Sequence, residues 1–310
     1  MTKKQIRLDS RDFVNPMSGF RKSRHGTKFA FFGTSHIAVF VLDALETAGL
    51  MPQLVVTQEP KPKGRGLEPH PTEVELWARA RDLPVAHGPE EFASGEWDVA
   101  IVVDYGNLLP KQLLGIPRRG FLNVHPSLLP RLRGASPIRS AILNDERTTG
   151  VSIMVVTEGM DEGPIVAQKK VTVDPWPLGN SALERMLMQA GGALLAQILP
   201  QWIAGEIDAQ EQNHDVATYS EKIQKEDGLL DLSADAVPNG RQAYQNLLKI
   251  RAYEGWPGTY AFFERSGKKI RVGIIDAHIE GTRLVLDTVK PEGKREMPYE
   301  EFARSGATPL

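Results

Sequence analysis

Three polar side chains sit where an enzyme would put them. Asn123 and His125 end an apolar run, Phe121 to Val124, and Asp161 lies in the turn Glu158-Gly159-Met160-Asp161-Glu162-Gly163-Pro164 that follows the apolar run Val151 to Val156. On an extended backbone, residues two apart point the same way, so an amide and an imidazole can address one small oxygen atom together. A carboxylate from the glycine-rich turn can orient that imidazole and help hold it charged. An isolated Asn-x-His, however, is more often a local hydrogen-bonder than a catalytic pair, and a Gly/Asp turn is usually only a turn. Position has to supply the rest.

The elements around these residues supply it. Lys28 to Phe32 reads as a short strand ended by Gly33 and Thr34, and apolar spacing from Ala38 to Leu45 predicts a helix. Leu54 to Val56, Val99 to Val103, Phe121 to Val124 and Val151 to Val156 read as further strands; Val99 to Val103 is apolar throughout, as in a strand buried on both faces. Ser136 is placed to cap a helix whose first residue is Pro137 and which runs to about Asn144. The alternation implies an α/β fold with a Rossmann-like, open and mostly parallel sheet, in which ligands bind outside the carboxyl ends of the strands. Asn123 and His125 fall at such an end.

Helical spacing resumes at Asn180 or Ser181 with Leu183, Met186, Leu187 and Ala190, and Gly191-Gly192 is expected to break it before a second helix carrying Leu194, Leu195, Ile198 and Trp202. Ala204 to Ala217 is polar and suits a linker. A helix around Arg241 to Arg251 follows, then strands at Thr259 to Phe263, Lys269 to Ile275 and Arg283 to Thr288. The expected organisation is a basic, flexible tail over 1–27, a catalytic domain over 28–204, a linker over 205–217 and a small β-rich domain over 218–310. The tail sets Lys3, Lys4, Arg7, Arg11, Arg21, Lys22 and Arg24 against Asp9 and Asp12, without the apolar stretch of a secretory signal.

Composition excludes several classes. The 310 residues contain no cysteine, which removes disulfides, thiolate metal sites and a cysteine nucleophile, and suits a cytoplasmic setting. The seven histidines are scattered and form no His-x3-His pair, so no metal is expected. No apolar stretch is long enough to cross a bilayer. There is neither a P-loop nor a complete Gly-x-Gly-x-x-Gly fingerprint, which argues against an NTPase or a dinucleotide oxidoreductase. A net charge of -2 gives no global pull toward nucleic acid.

Asn123-Val124-His125-Pro126-Ser127-Leu128-Leu129-Pro130, continued by Arg131-Leu132-Arg133-Gly134-Ala135-Ser136-Pro137-Ile138, resembles the signature of the folate-dependent formyltransferases. The turn Gly159-Met160-Asp161-Glu162-Gly163-Pro164-Ile165 is similar to the family's second motif, and Phe32-Gly33-Thr34 to its first strand-turn. The Arg-Gly-Ala-Ser-Pro-Ile continuation, Thr57-Gln58-Glu59-Pro60 with Lys63-Gly64-Arg65-Gly66, and Trp256-Pro257-Gly258 resemble the branch that acts on methionyl-tRNA more than the purine-pathway branch.

The resemblance implies that Asn123, His125 and Asp161 are catalytic, and that 10-formyltetrahydrofolate donates the formyl group. It implies a folate pocket lined by Val103, Tyr105, Gly106 and Leu108 with Ser127, Leu128, Leu129 and Pro130. It assigns Gly33, Thr34, Lys63 and Arg65 to the acceptor, a charged initiator tRNA, and a C-terminal domain resembling the oligonucleotide-binding fold, in abridged form. A monomer is expected. Two departures bear on the acceptor. Leu67 and Glu68 stand where the family usually has lysines, and from Glu206 onward 14 Lys+Arg face 18 Asp+Glu, so phosphate contacts must come from local patches. The alternatives are a relative that formylates an amino-sugar nucleotide, a formyl-folate hydrolase, and a non-enzymatic folate- or RNA-binding relative.

Overall fold

The computed structural model describes residues 27–63, 68–232 and 240–310, with the side chains of Lys63 and Glu68 left out. The basic tail, apart from its last residue, and Arg65 of the acceptor loop lie outside the described residues. The chain forms two compact units, one of residues 1–133, 148–172 and 184–219 and the other of residues 134–147, 173–183 and 220–310.

The first unit is built on a seven-stranded sheet. Its strands are β1 (Phe29–Gly33), β2 (Leu54–Val56), β3 (Val85–Ala86), β4 (Val99–Val103), β5 (Phe121–His125), β6 (Thr148–Val155) and β7 (Ile165–Thr172). Their spatial order is β7-β6-β5-β4-β1-β2-β3. The five strands from β5 to β3 run parallel, whereas β6 is antiparallel to β5 and β7 to β6. The chain moves outward from β1 through β2 to β3, then crosses to β4 on the other side. The strand order therefore switches between β1 and β4, where open α/β sheets hold their ligands.

Every residue of β1 and β2 is buried, which is why both read as unbroken apolar runs. Helix α1 (His36–Thr47) starts where Ser35 accepts from the Ile37 N–H at 3.2 Å, and it buries Ala38, Val41, Leu42 and Leu45. The opposite face is sealed by aromatic rings: Phe32 meets Phe92, Phe121 and Tyr105 edge-on at centroid distances of 4.9, 5.3 and 5.4 Å. Each such pair adds about 0.5–1.5 kcal/mol beyond area burial.

Two sequence expectations need correction. Gly191-Gly192 does not break a helix; α2 (Asn180–Ala204) runs through both. The glycines serve close packing instead. A Cβ on Gly191 would lie 2.5 Å from Val124 Cγ1, and one on Gly192 would lie 2.6 Å from Ala44 Cβ of α1. Ser136 does precede the helix Pro137–Leu143, but its side chain makes no capping hydrogen bond.

The second unit carries a five-stranded antiparallel sheet of β8 (Thr259–Arg265), β9 (Lys268–Glu280), β10 (Arg283–Pro291), β11 (Met297–Pro298) and β12 (Thr308–Pro309), in the order β11-β10-β9-β8-β12. One face carries the core: Ala261, Phe263, Val272, Ile274, Leu284, Leu286 and Val289 pack with Leu247 and Ile250 of α3 (Arg241–Ala252). Among the described residues, no helix is long and apolar enough to cross a membrane.

Candidate active site

β5 lies next to β4, and its register pairs Asn123 with Val102, just short of the carboxyl end of β4. Asn123 is half-buried, and His125, the last residue of β5, is buried. The His125 Nε2 lies 2.9 Å from the Leu132 carbonyl oxygen. A carbonyl only accepts, so Nε2 carries hydrogen and donates. Nδ1 remains as the nitrogen that can turn to a substrate, and Asp161 Oδ2 stands 3.7 Å from it, within ion-pair reach but too long for a hydrogen bond.

Asp161 arrives by an unusual route. Because β6 runs antiparallel, its last residue, Val155, pairs with Leu122, near the start of β5. The turn between β6 and β7 must fold back to bring Asp161 to His125. Gly163 makes this possible, since a Cβ there would lie 1.9 Å from the Val155 carbonyl oxygen. Asp161 itself adopts φ 50°, a left-handed conformation that Asp tolerates better than most residues.

The loop after His125 is locked from below by one hydroxyl. Ser152 Oγ donates to the Ser127 carbonyl at 2.6 Å and accepts from the Leu129 N–H at 3.0 Å and from Gln168 Nε2 at 2.8 Å. One O–H and both lone pairs are thereby used. Gln168 Nε2 also donates to the Leu129 carbonyl at 2.8 Å, and Ser127 Oγ donates to the Arg131 carbonyl at 2.6 Å. Leu128 packs on the Gly150 backbone, where a Cβ would come within 2.6 Å of it, and Pro130 accepts from the Thr218 N–H at 3.2 Å. The polar groups of Ser127 and Leu129 thus brace the loop internally.

On the neighbouring loop, Val103 is buried and pairs with Gly33, and the Tyr105 ring is in the core. The Tyr105 carbonyl accepts from Thr34 Oγ1 at 2.7 Å and from Gln58 Nε2 at 3.0 Å. Gly106 turns the chain at φ 78°, and Leu108 is 95% exposed. Lys63 closes one strand of a hairpin, Lys61–Lys63 with Glu68–His70, and Lys61 Nζ donates to Gln58 Oε1 at 2.6 Å. Lys111 Nζ meets Glu158 at 2.6 Å, joining the end of the Tyr105 loop to the Asp161 turn; hydrogen bonding to Glu158 raises the Lys111 pKa. Met160, on that turn, is 67% exposed.

Sequence patterns did not single out Gln212, Ser152, Gln168 or Thr218, and placed Arg133 only within a motif. Gln212 lies in the stretch expected to be a linker, and its burial has no signal in the sequence. Arg133 is 1% exposed, a costly place for a guanidinium without partners. It donates from Nε and Nη2 to Gln212 Oε1 at 3.1 and 2.7 Å, and its Nη1 approaches His214 Nδ1 at 3.3 Å. Among the described residues, no group of three or more His, Asp or Glu is placed to hold a metal.

An amide and an imidazole near the carboxyl end of a strand, with a carboxylate 3.7 Å from the imidazole, can together polarise a carbonyl oxygen. The family model for formyl transferase matches residues 27–199, and the chain belongs to that family. It is 37% identical to the methionyl-tRNA formyltransferase of Thermus thermophilus over 89% of this chain and 95% of that one. The fold is shared with more distant structures. An N-formyltransferase from Helicobacter canadensis, in complex with folinic acid and dTDP-3-aminofucose, superposes with a TM-score of 0.58 at 17% identity, covering 84% of this chain and 98% of that one. HypX from Aquifex aeolicus, in complex with tetrahydrofolic acid, gives a TM-score of 0.61 at 14% identity, over 90% of this chain and 47% of that one.

Proposed function

We propose that the chain transfers the formyl group of 10-formyltetrahydrofolate to the amino group of methionyl-tRNA, with Asn123, His125 and Asp161 as the catalytic residues. The observation that carries the acceptor is the 37% identity with a methionyl-tRNA formyltransferase over 95% of its length. The two solved relatives holding folates lend support to the donor. So does the site: Leu108 and Met160, large apolar side chains left in water, sit on two segments joined by the Lys111–Glu158 pair, a surround suited to a flat ring system.

When bound, the folate supplies a formyl group already activated toward an amine. The Asn123 amide and the His125 Nδ1–H then donate to the formyl oxygen as it gains negative charge, each donor being worth about 2.7–4 kcal/mol where one has been removed in other enzymes. Asp161 holds the imidazole in place and takes the proton that the attacking amine sheds. A carbon–nitrogen bond to the methionyl amine forms as the one to folate breaks, and the folate nitrogen ends with that proton. By the family motifs, Lys63 and Arg65 of the basic loop serve the acceptor together with Gly33 and Thr34, and Val103, Tyr105, Gly106, Leu108 and the loop Ser127 to Pro130 serve the folate.

The test is a formyl-transfer assay with charged initiator tRNA, charged elongator tRNA and an amino-sugar nucleotide in parallel. Preferred formylation of the initiator is the expected result. Preferred formylation of the sugar, or release of formate with no acceptor, would replace this reading with one of its alternatives.

A further inference from the structure

We infer that Gln212 is a positioning residue for this reaction: clamped by the buried Arg133, its amide fixes the turn that carries Asp161. The inference rests on Asp161 acting in the catalytic constellation. Gln212 is 5% exposed, and its Nε2 donates to the Asp161 carbonyl at 2.9 Å and to the Gly163 carbonyl at 2.7 Å. These two carbonyls flank the segment that folds back toward His125, on either side of Glu162.

The orientation of the amide follows from its partners. An arginine only donates, so Gln212 Oε1 must face Arg133 and Nε2 must face the turn. A flipped amide would set two donors against each other at Arg133 and an oxygen against two carbonyls. Arg133 in turn is fixed at its backbone, where its N–H donates to the Thr218 carbonyl at 2.9 Å. The carbonyl just before it, that of Leu132, is the one that receives His125 Nε2. One short segment therefore holds both members of the pair: His125 directly, and Asp161 through Gln212. The 3.7 Å gap between His125 Nδ1 and Asp161 Oδ2 is set by this frame, and the left-handed Asp161 has no repeating secondary structure of its own to hold it.

Gln212→Glu separates positioning from packing. It keeps the shape and keeps Arg133 partnered, but replaces the two donors with an oxygen that repels both turn carbonyls. We expect kcat for formyl transfer to fall on the order of 10²-fold, the size a displacement near one ångström can reach. KM for the folate and the melting temperature should change little. In an Asp161→Asn background the same change should cost almost nothing more, because the group it positions is already disabled. Gln212→Ala should follow the same pattern in kcat, a large loss alone and little further loss in the Asp161→Asn background, but it also takes from the buried Arg133 the acceptor of its Nε and Nη2 and should lower the melting temperature. Full multiplication of the losses in the double variant, or wild-type kcat in Gln212→Glu, would overturn the inference. A crystal structure of Gln212→Glu gives an answer independent of the acceptor. A widened His125–Asp161 separation supports the clamp, and an unmoved Asp161 turn refutes it even if methionyl-tRNA proves not to be the substrate.

Discussion

The two sheets treat polar side chains in opposite ways. In the parallel sheet, β1 and β2 are buried at every residue, so a polar group on a strand is an exception that needs a purpose. In the antiparallel sheet, burial alternates along β8 from Thr259 to Phe263. Its outer face carries Tyr260 under Arg271 at 3.8 Å and Phe262 under Lys269 at 4.1 Å. There polarity follows from the pleat, and no single side chain announces a function. Chemistry is therefore legible in the first unit and hidden in the second.

The largest expected effect tests whether the inner face of the antiparallel sheet really is its core. Phe263 is fully buried, with the Phe302 ring edge-on at 5.3 Å. Phe263→Ala should cost about 3–5 kcal/mol of stability, read as a lower denaturant midpoint. A loss below about 1 kcal/mol would mean that this face does not organise the unit.

Next comes the claim that polar exceptions in the parallel sheet act together. Asp161→Asn should lower kcat on the order of 10²–10³-fold and leave KM nearly unchanged, because it disables the His125 donor in the transition state. Adding His125→Ala should cost little more. If the two single losses multiply, the residues act separately and the comparison loses its functional half.

A smaller effect concerns the acceptor. Arg65→Ala should weaken use of methionyl-tRNA and flatten its dependence on log salt by about one unit, with folate binding nearly intact. Unchanged tRNA kinetics across salt concentrations would remove the basic loop from the acceptor site.

The smallest effect belongs to β9 and β10, the two longest strands of the second unit. Hydrogen bonding to Asp287 raises the His278 pKa above its usual 6.5, helped by the charge of that carboxylate and opposed by desolvation. A raised folded pKa contributes stability that is complete below the unfolded value and is lost as pH rises through the folded one. The stability difference between wild type and His278→Asn should accordingly be larger near pH 5.5 than near pH 9. The reverse trend would show that the Asp287 contact at 2.9 Å does not hold the charged imidazole.

How far the sequence could be read follows the same division. β2 has the bounds expected from its apolar run, because a strand covered on both faces is apolar throughout, whereas β5 extends the expected strand by one polar residue, to His125. β7 has no such signal: Ile165–Thr172 is an edge strand whose Gln168, Lys169 and Lys170 carry no apolar rhythm. The helix through Gly191-Gly192 departs from the sequence pattern because glycine is ordinarily a breaker, and its reason for being there is a contact with residues far away in sequence. Asn123, His125 and Asp161 could be nominated from position and motif. Gln212 could not, because its bonds reach back 51 and 49 residues to backbone atoms that any sequence would offer.

If Asn123 and His125 act as proposed, the closeness of Gly191 to Val124 gives an apolar position a say in reactivity. Val124 stands between Asn123 and His125, and a single methyl group at 191 would press on its Cγ1 from 2.5 Å away. A strand pushed there would shift both donors at once, although nothing polar had changed. Gly191→Ala would then look, in a kinetic assay, like damage to the catalytic residues themselves. On the proposed mechanism, drift at a silent-looking glycine is constrained by the spacing of two atoms that meet one oxygen.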